Sequence, residues 1–276
     1  MYKFYLLIQT NIGDVMKKIL YTGARSGIAS KVIEKFLNSD KYLIYLTVET
    51  NAQLKEVAKI YQNYENIKYF KLDLTNDKDL DTIKKLDVDI LVSNAAVGYG
   101  GSIAEIDIDK IRENYEVNVF QNFKLVQIVL EKMIKKNKGR IIMMSSLASI
   151  LPIPFLGSYS STKASINKLT ETLKLELKYI NSNIDIVLIE PGLYHTGFNQ
   201  VMLENKYDDM KDSYFKEELE FIRKSEEIFF NLLEHENYKS VVNVIYKAIT
   251  SNNPKFIYKA PFFQGLFSKL YQIFFQ

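Results

Sequence analysis

Tyr159 and Lys163 are the first pair in this chain whose types and spacing could carry chemistry. Residues four apart share one face of a helix, and the segment Gly157-Ser158-Tyr159-Ser160-Ser161-Thr162-Lys163-Ala164 reads as the opening of one. An ammonium one turn behind a phenol stabilises phenolate. It is expected to draw the tyrosine from about 10 toward working pH, as a general acid/base requires. With 19 tyrosines in 276 residues, the pattern needs a control. Tyr-x-x-x-Lys occurs three times, at Tyr64/Lys68, Tyr159/Lys163 and Tyr207/Lys211, and thirteen residues upstream stand Asn51, Ser146 and Tyr194 respectively. Only the middle copy has a serine there, at the end of the apolar run Arg140-Ile-Ile-Met-Met-Ser145. The other two read as exposed helix faces. A serine hydroxyl and an acidified phenol at one spot are what an oxygen gaining negative charge needs: a donor and a proton.

A second signal lies upstream, where Thr22-Gly23-Ala24-Arg25-Ser26-Gly27-Ile28-Ala29 follows an apolar strand. A glycine turn between strand and helix lets backbone N–H groups and the helix N-terminus face a pyrophosphate. Alone, such a turn is often no more than a tight corner. About 20 residues further on, a dinucleotide site places an acid on the adenosine ribose, and Glu49 stands there. Its carboxylate would repel a 2′-phosphate and favours NAD, whereas Arg25 could pair with that phosphate and favours NADP. The balance leans to NAD.

The elements that must position these residues alternate. Strands are expected at 17–22, 42–48, 67–72, 88–93, 139–145 and 184–190, with a possible last one at 255–258. Helical patterns fill 27–38, 51–62, 77–85, 107–136, 159–180 and 238–251. Alternation at this spacing implies a parallel sheet covered on both faces. The strand cores, such as Ile90-Leu91-Val92 and Ile184 to Ile189, are continuous apolar runs, as strands buried on both sides are. The expectation is one α/β domain: a doubly wound, Rossmann-type parallel sheet in three layers. No repeat or Pro/Gly-rich linker divides the chain. In such a sheet, ligands bind at the carboxyl ends of the strands, where Ser146 stands.

Composition narrows the classes. The chain has no cysteine and two histidines, His195 and His235, which excludes disulfides, thiol chemistry and Cys- or His-rich metal sites. No metal is expected. A net charge of +3, from 36 basic and 33 acidic residues, provides no field of the kind nucleic-acid binders use. The apolar run Phe4 to Ile8 is too short for a signal peptide core, and no stretch of about 18 apolar residues spans a membrane. The expected location is cytoplasmic. Met16-Lys17-Lys18 resembles a start, so residues 1–15 read as an N-terminal extension to a catalytic domain at 16–276.

Taken together, Thr22-Gly23-x-x-x-Gly27-Ile28, Asp73-Leu74, Asn94-Ala95, Asn118, Ser146, Tyr159-x-x-x-Lys163 and Pro191-Gly192-x-x-x-Thr196 resemble the short-chain dehydrogenase/reductases in order and spacing. The likeness covers Lys17 to about Thr196. Departures are Ala29 for the third glycine, Ser93 and Ala96 around Asn94-Ala95, and Gln121 where a glycine often follows. The resemblance implies an NAD(P)-dependent oxidoreductase acting on a carbonyl or secondary alcohol. It implies that Asp73 contacts adenine and that Asn94 borders the adenosine ribose. Asn118 would hold a water that connects Lys163 to solvent, and Ser146 would bond the substrate oxygen. Tyr159 would pass the proton, Lys163 would also bind the nicotinamide ribose, and Pro191, Gly192 and Thr196 would line the nicotinamide end. Gly23, Arg25, Ser26, Gly27, Ile28, Glu49, Leu74 and Ala95 complete the expected cofactor set. Family members of this size form dimers or tetramers through long helices, here 107–136 and 159–180. Two other functions compete: a regulatory protein that binds the cofactor without turnover, which has no need of Ser146, Tyr159 and Lys163 together, and an extended-type sugar-nucleotide epimerase. The latter needs a larger substrate domain than the roughly 80 residues after Thr196 provide.

The substrate end is less determined. Residues 197–237 carry Phe198, Met202, Met210, Phe221 and Phe230 among many charges, and read either as a helical lid near a ligand or as a surface excursion. An apolar lid suggests an apolar substrate; packing of the lid itself explains the same residues. His195 reads as a loop residue and His235 as a surface one. The tail 260–276 has one charge, Lys269, and Phe263, Leu266, Phe267, Leu270 and Phe274 recur at helical spacing. That face is expected to bury against the core or a second subunit, with a membrane surface as the alternative. The preceding Asn253-Pro254-Lys255-Phe256-Ile257-Tyr258 loosely resembles the end of hydroxysteroid- and retinol-dehydrogenase-like members.

Overall fold

A computed structural model describes residues 16–210 and 212–275; the expected 1–15 extension lies outside them. Seven strands form one sheet: β1 (Lys17–Tyr21), β2 (Tyr42–Val48), β3 (Ile67–Lys71), β4 (Ile90–Ser93), β5 (Gly139–Met144), β6 (Ile184–Pro191) and β7 (Ile257–Ala260). Their order is β3-β2-β1-β4-β5-β6-β7 and every pairing is parallel. The order reverses between β1 and β4, and a crevice opens at such a switch point. The seventh strand falls two residues later than its sequence pattern suggests. Its register is set by pairing with β6, Leu188 opposite Ile257.

The helices are α1 (Gly27–Glu34), α2 (Asn51–Tyr61), α3 (Asp77–Ile83), α4 (Ile108–Tyr115), α5 (Asn122–Lys136), α6 (Gly157–Tyr179), α7 (Phe198–Asp209), α8 (Leu219–Leu233), α9 (Lys239–Thr250) and α10 (Phe262–Phe275). Side chains alternate along each strand, so the sheet feeds two cores. Ile19 and Tyr21 join the layer of α1, α2 and α9, and Leu20 joins the layer of α3, α5 and α6. Caps start the helices where the sequence supplies them. Ser26 Oγ accepts from Ala29 N, and Thr50 with Gln53 forms a reciprocal capping box.

Two polar devices lock the far strands. Arg140 on β5 donates to Asp185 Oδ2 on β6 at 2.7 and 3.0 Å and to the carbonyls of Ala248 and Ile249 at 2.8 Å. It thereby satisfies orphan carbonyls at the end of α9. Glu190, 2% exposed, accepts from Asn167 Nδ2 at 2.7 Å and pairs with Lys259 at 3.0 Å. That pair joins β6, α6 and β7.

The apolar face of the tail does not pack on the core. α10 turns its small residues, Gly265 and Ser268, inward. Its large ones point out: Phe262, Phe263, Leu266, Phe267, Leu270, Ile273 and Phe274 are all exposed. A Cβ on Gly265 would lie 2.7 Å from Lys259 Cβ. Close approach to β7 therefore selects the small face, and among the described residues nothing covers the apolar face.

Candidate active site

The first glycine turn is built by β1 and β4 together. Thr22 Oγ1 accepts from Asn94 N at 2.9 Å and Ala95 N at 3.0 Å, while Asn94 Nδ2 donates to the carbonyls of Thr22 and Gly23 at 3.0 Å. Gly23 has φ +65°, and a Cβ there would lie 2.9 Å from Ala95 Cα, so both conformation and space require glycine. Gly27 has a different reason. A Cβ there would meet the Tyr238 ring and hydroxyl at 3.2–3.4 Å, so its lack of a side chain makes room for Tyr238. Arg25 pairs with Glu56 at 3.1 Å, both well exposed. Such a pair contributes under about 1 kcal/mol and does not lock the guanidinium away from the cleft. Asp73 Oδ1 accepts from Thr75 N and Oγ1, closing the turn after β3.

A cleft of about 550 Å³ runs from this turn across the carboxyl ends of the strands. Gly23, Arg25, Ser26, Ile28, Glu49, Asp73, Leu74, Asn94, Ala95, Ser146, Tyr159, Lys163, Pro191, Gly192 and Thr196 all line it. Of the expected site residues, Gly27 and Asn118 stand outside.

The chemical end lies where β5 gives way to the turn holding Ser146. Ser146 Oγ accepts from Ala148 N at 3.1 Å, donates to Pro191 O at 3.5 Å and lies beside the Tyr159 phenol. Lys163 is 3% exposed; its Nζ donates to Met144 O at 3.0 Å and lies 5.5 Å from the Tyr159 ring centre. Burial pulls this ammonium down to about 8. The phenol departs from expectation. Burial of its hydroxyl pushes it above the ordinary tyrosine range, and the Ser146 hydrogen bond only partly opposes this. The ring itself is half-exposed to the cleft. Desolvation disfavours both charged forms, and at 5.5 Å from the ring the ammonium does not overcome it.

Asn118 lies behind the cleft wall, outside its lining. It is fully buried, its Oδ1 accepts from Val97 N, and its amide hydrogens go to Val97 O (2.9 Å) and Thr162 Oγ1 (3.2 Å). With both hydrogens committed, its side chain fixes Thr162, the neighbour of Lys163. Two further asparagines do the same work and were not anticipated. Asn114 grips Tyr99 N and O and the Ser158 hydroxyl, and Asn122 grips Ser93, Ala95 O and Val117 O. The arithmetic explains the ladder. Four residues of helix rise about 6 Å, close to the 6.6 Å or so of two extended residues. Asparagines 114, 118 and 122 therefore meet residues 99, 97 and 95 in turn. A π turn at Glu116–Gln121 joins α4 to α5. Its wider winding offsets the rotation that steps of four accumulate in a strict α-helix. The period-four asparagines were the available signal.

Residues after Thr196 cover the chemical end. The Phe198 ring centre lies 5.6 Å from that of Tyr159. Gly98 makes this possible, since a Cβ there would lie 2.8 Å from Phe198 Cζ and 2.9 Å from Met202 Sδ. Met202, Val201 and Phe230 line the same space. α7 and α8 are joined by the fully buried Lys206, which pairs with Glu226. His195 Nδ1 lies 2.8 Å from Glu234 Oε2, and Gln200 donates to the same carboxylate. His195 thus ties the loop after β6 to the end of α8, and His235 contributes backbone bonds to that loop.

The family model for short chain dehydrogenases matches residues 17–206. Among curated proteins, the uncharacterized oxidoreductase YusZ of Bacillus subtilis is 29% identical over 253 residues, 87% of each chain. The 3-ketodihydrosphingosine reductase of Bacteroides thetaiotaomicron is 27% identical over 262 residues, 91% of this chain and 90% of that one. Two solved structures share the fold. Serine dehydrogenase in its closed form with NADP+ has a TM-score of 0.69 at 19% identity, over 88% of this chain and 93% of that one. A short-chain dehydrogenase/reductase from Burkholderia phymatum with NAD has 0.70 at 20%, over 88% and 89%. A match over most of the chain, on a sheet whose switch-point cleft gathers Ser146, Tyr159 and Lys163, makes this protein a member of the short-chain dehydrogenase/reductase family of oxidoreductases.

Proposed function

We propose that the chain moves a hydride between a nicotinamide cofactor, NAD in preference to NADP, and an apolar ketone or secondary alcohol. The observation that carries this is the meeting of Ser146, Tyr159 and Lys163 in one cleft continuous with the glycine turn. That turn fits the cofactor: its first glycine has no room for a Cβ, and α1 begins there with Ser26 and Ile28 lining the cleft. The bound nicotinamide supplies or accepts the hydride. Ser146 holds the substrate oxygen, Tyr159 gives or takes its proton, and Lys163 stabilises the phenolate and binds ribose. Asn118 positions Thr162 beside that lysine, and Asp73, Leu74, Asn94 and Ala95 cradle the adenosine half. A regulatory role without turnover has no use for the intact chemical set and is not adopted.

Glu49 supports the NAD preference, since it lines the cleft at the end of β2. Phe198, Val201, Met202 and Phe230 support an apolar substrate and the reading of 197–237 as a lid. Exposed Phe120, Leu169, Leu175 and Tyr179, along the π turn and α6, support a homo-oligomer built on the long helices. The outward apolar face of α10 supports peripheral contact with a lipid surface. No helix among the described residues is long and apolar enough to cross a membrane. Absence of cysteine is compatible with a cytoplasmic location.

Tyr159→Phe is expected to lower turnover of a ketone panel at least about 100-fold while NADH binding, followed by its fluorescence, is retained; equal turnover removes Tyr159 from its role. Glu49→Gln is expected to shift the ratio of NADPH to NADH dissociation constants roughly tenfold toward NADPH, and an unchanged ratio excludes Glu49 as the selector. Phe263→Ser with Phe267→Ser is expected to abolish co-sedimentation with phosphatidylglycerol vesicles; a wild-type protein that never sediments with them rules out the lipid contact.

A further inference from the structure

Gln264, in the first turn of α10, is the point where three separate parts of the chain are tied together. Its Oε1 accepts from Leu193 N at 2.9 Å, in the loop between β6 and α7. Its Nε2 donates to Leu233 O at 2.6 Å, one of the last carbonyls of α8, which have no partner inside their own helix. A Cβ on residue 192 would lie 2.0 Å from that Oε1 and 3.1 Å from Pro261 Cδ. Only glycine at 192 admits the amide. Gly192 is thus half of a lock whose other half is seventy-two residues away.

The loop is held from the opposite side as well. Leu193 O accepts from His235 N at 3.0 Å, and His195 N donates to His235 O at 3.1 Å. The peptide groups on either side of Leu193 are therefore fixed by different segments, one before α9 and one in α10. Leu193 and Tyr194 both line the cleft, and so does Phe230, one turn before Leu233.

We infer that Gln264 is a positioning residue for the nicotinamide end of the cleft, coupling the tail helix to the loop that faces the cofactor and to the lid. This rests on the proposed nicotinamide site. Its donor and acceptor arms do separate work. The Oε1 arm fixes the loop and governs cofactor affinity. The Nε2 arm fixes the end of α8 and governs the lid.

Three variants of the full chain separate the arms. Gln264→Met keeps the shape and loses both bonds; it is expected to raise the NADH dissociation constant roughly fivefold, the equivalent of one hydrogen bond. It should also speed amide hydrogen exchange both at 192–196 and at 230–234. Gln264→Glu keeps an acceptor for Leu193 N and cannot donate at neutral pH. NADH affinity should then stay within about twofold of wild type, with faster exchange at 230–234 only. Gln264→Asn, too short for either partner, gives the first readout again should the methionine variant not fold. Wild-type NADH affinity in Gln264→Met, or equal weakening in Gln264→Met and Gln264→Glu, overturns the inference. A wild-type protein that binds neither NADH nor NADPH instead sinks the reading of the cleft on which it rests.

Discussion

The site depends on keeping one ammonium group out of water. Lys163 is almost wholly buried at the carboxyl end of β5, where its Nζ has the carbonyl of Met144 as acceptor. A single carbonyl does not replace the hydration of a full charge, and the ammonium is pulled down to about 8 as a result. The phenol of Tyr159 is pushed the other way by the same dryness. Burial disfavours phenolate and ammonium alike, so it drives the proton affinities of the two groups apart and favours the neutral pair. A polar ligand or a charge entering the cleft would act on both at once.

Holding that arrangement takes a frame whose polar groups are satisfied. The loop after β4 is sewn to the α4–α5 helix by asparagines 114, 118 and 122, and to β1 by Thr22 and Asn94. The strand carrying Pro191 is tied to α6 and β7 through Glu190, Asn167 and Lys259. Most of these buried polar groups have a partner, as burial requires, Asn167 Oδ1 being an exception. The consequence is a rigid floor under a cover, α7 and α8, that shares little of this network. α8 has no buried residue, and a weakly buried segment opens at low free energy. The difference suits a site that must admit substrate above a fixed set of reacting groups.

Much of this was legible in the sequence, and for identifiable reasons. Apolar runs marked the ends of the first six strands within two residues, because buried parallel strands have no polar face to confuse the pattern. The serine thirteen residues before Tyr159 separated the Tyr-x-x-x-Lys that lines the cleft from two lookalikes. Three things were not legible. The direction of the phenol shift depends on how dry the hydroxyl is, which no spacing reports. The contacts of Gly27 and Asn118 are with distant partners, Tyr238 and Val97, that only the fold brings near. The tail was read correctly as an amphipathic helix, but periodicity identifies a face and not what it meets. Close approach of Gly265 to Lys259 decided that the small face goes inward.

The most direct test is to titrate Lys163 itself in the ligand-free protein, following the side-chain resonance of isotopically labelled lysine by NMR with Lys163→Met for assignment. Burial beside Met144 predicts a midpoint of about 8. A lysine that titrates at its ordinary value of 10.5 contradicts the account, since an ammonium that is fully hydrated cannot be the dry partner of Tyr159.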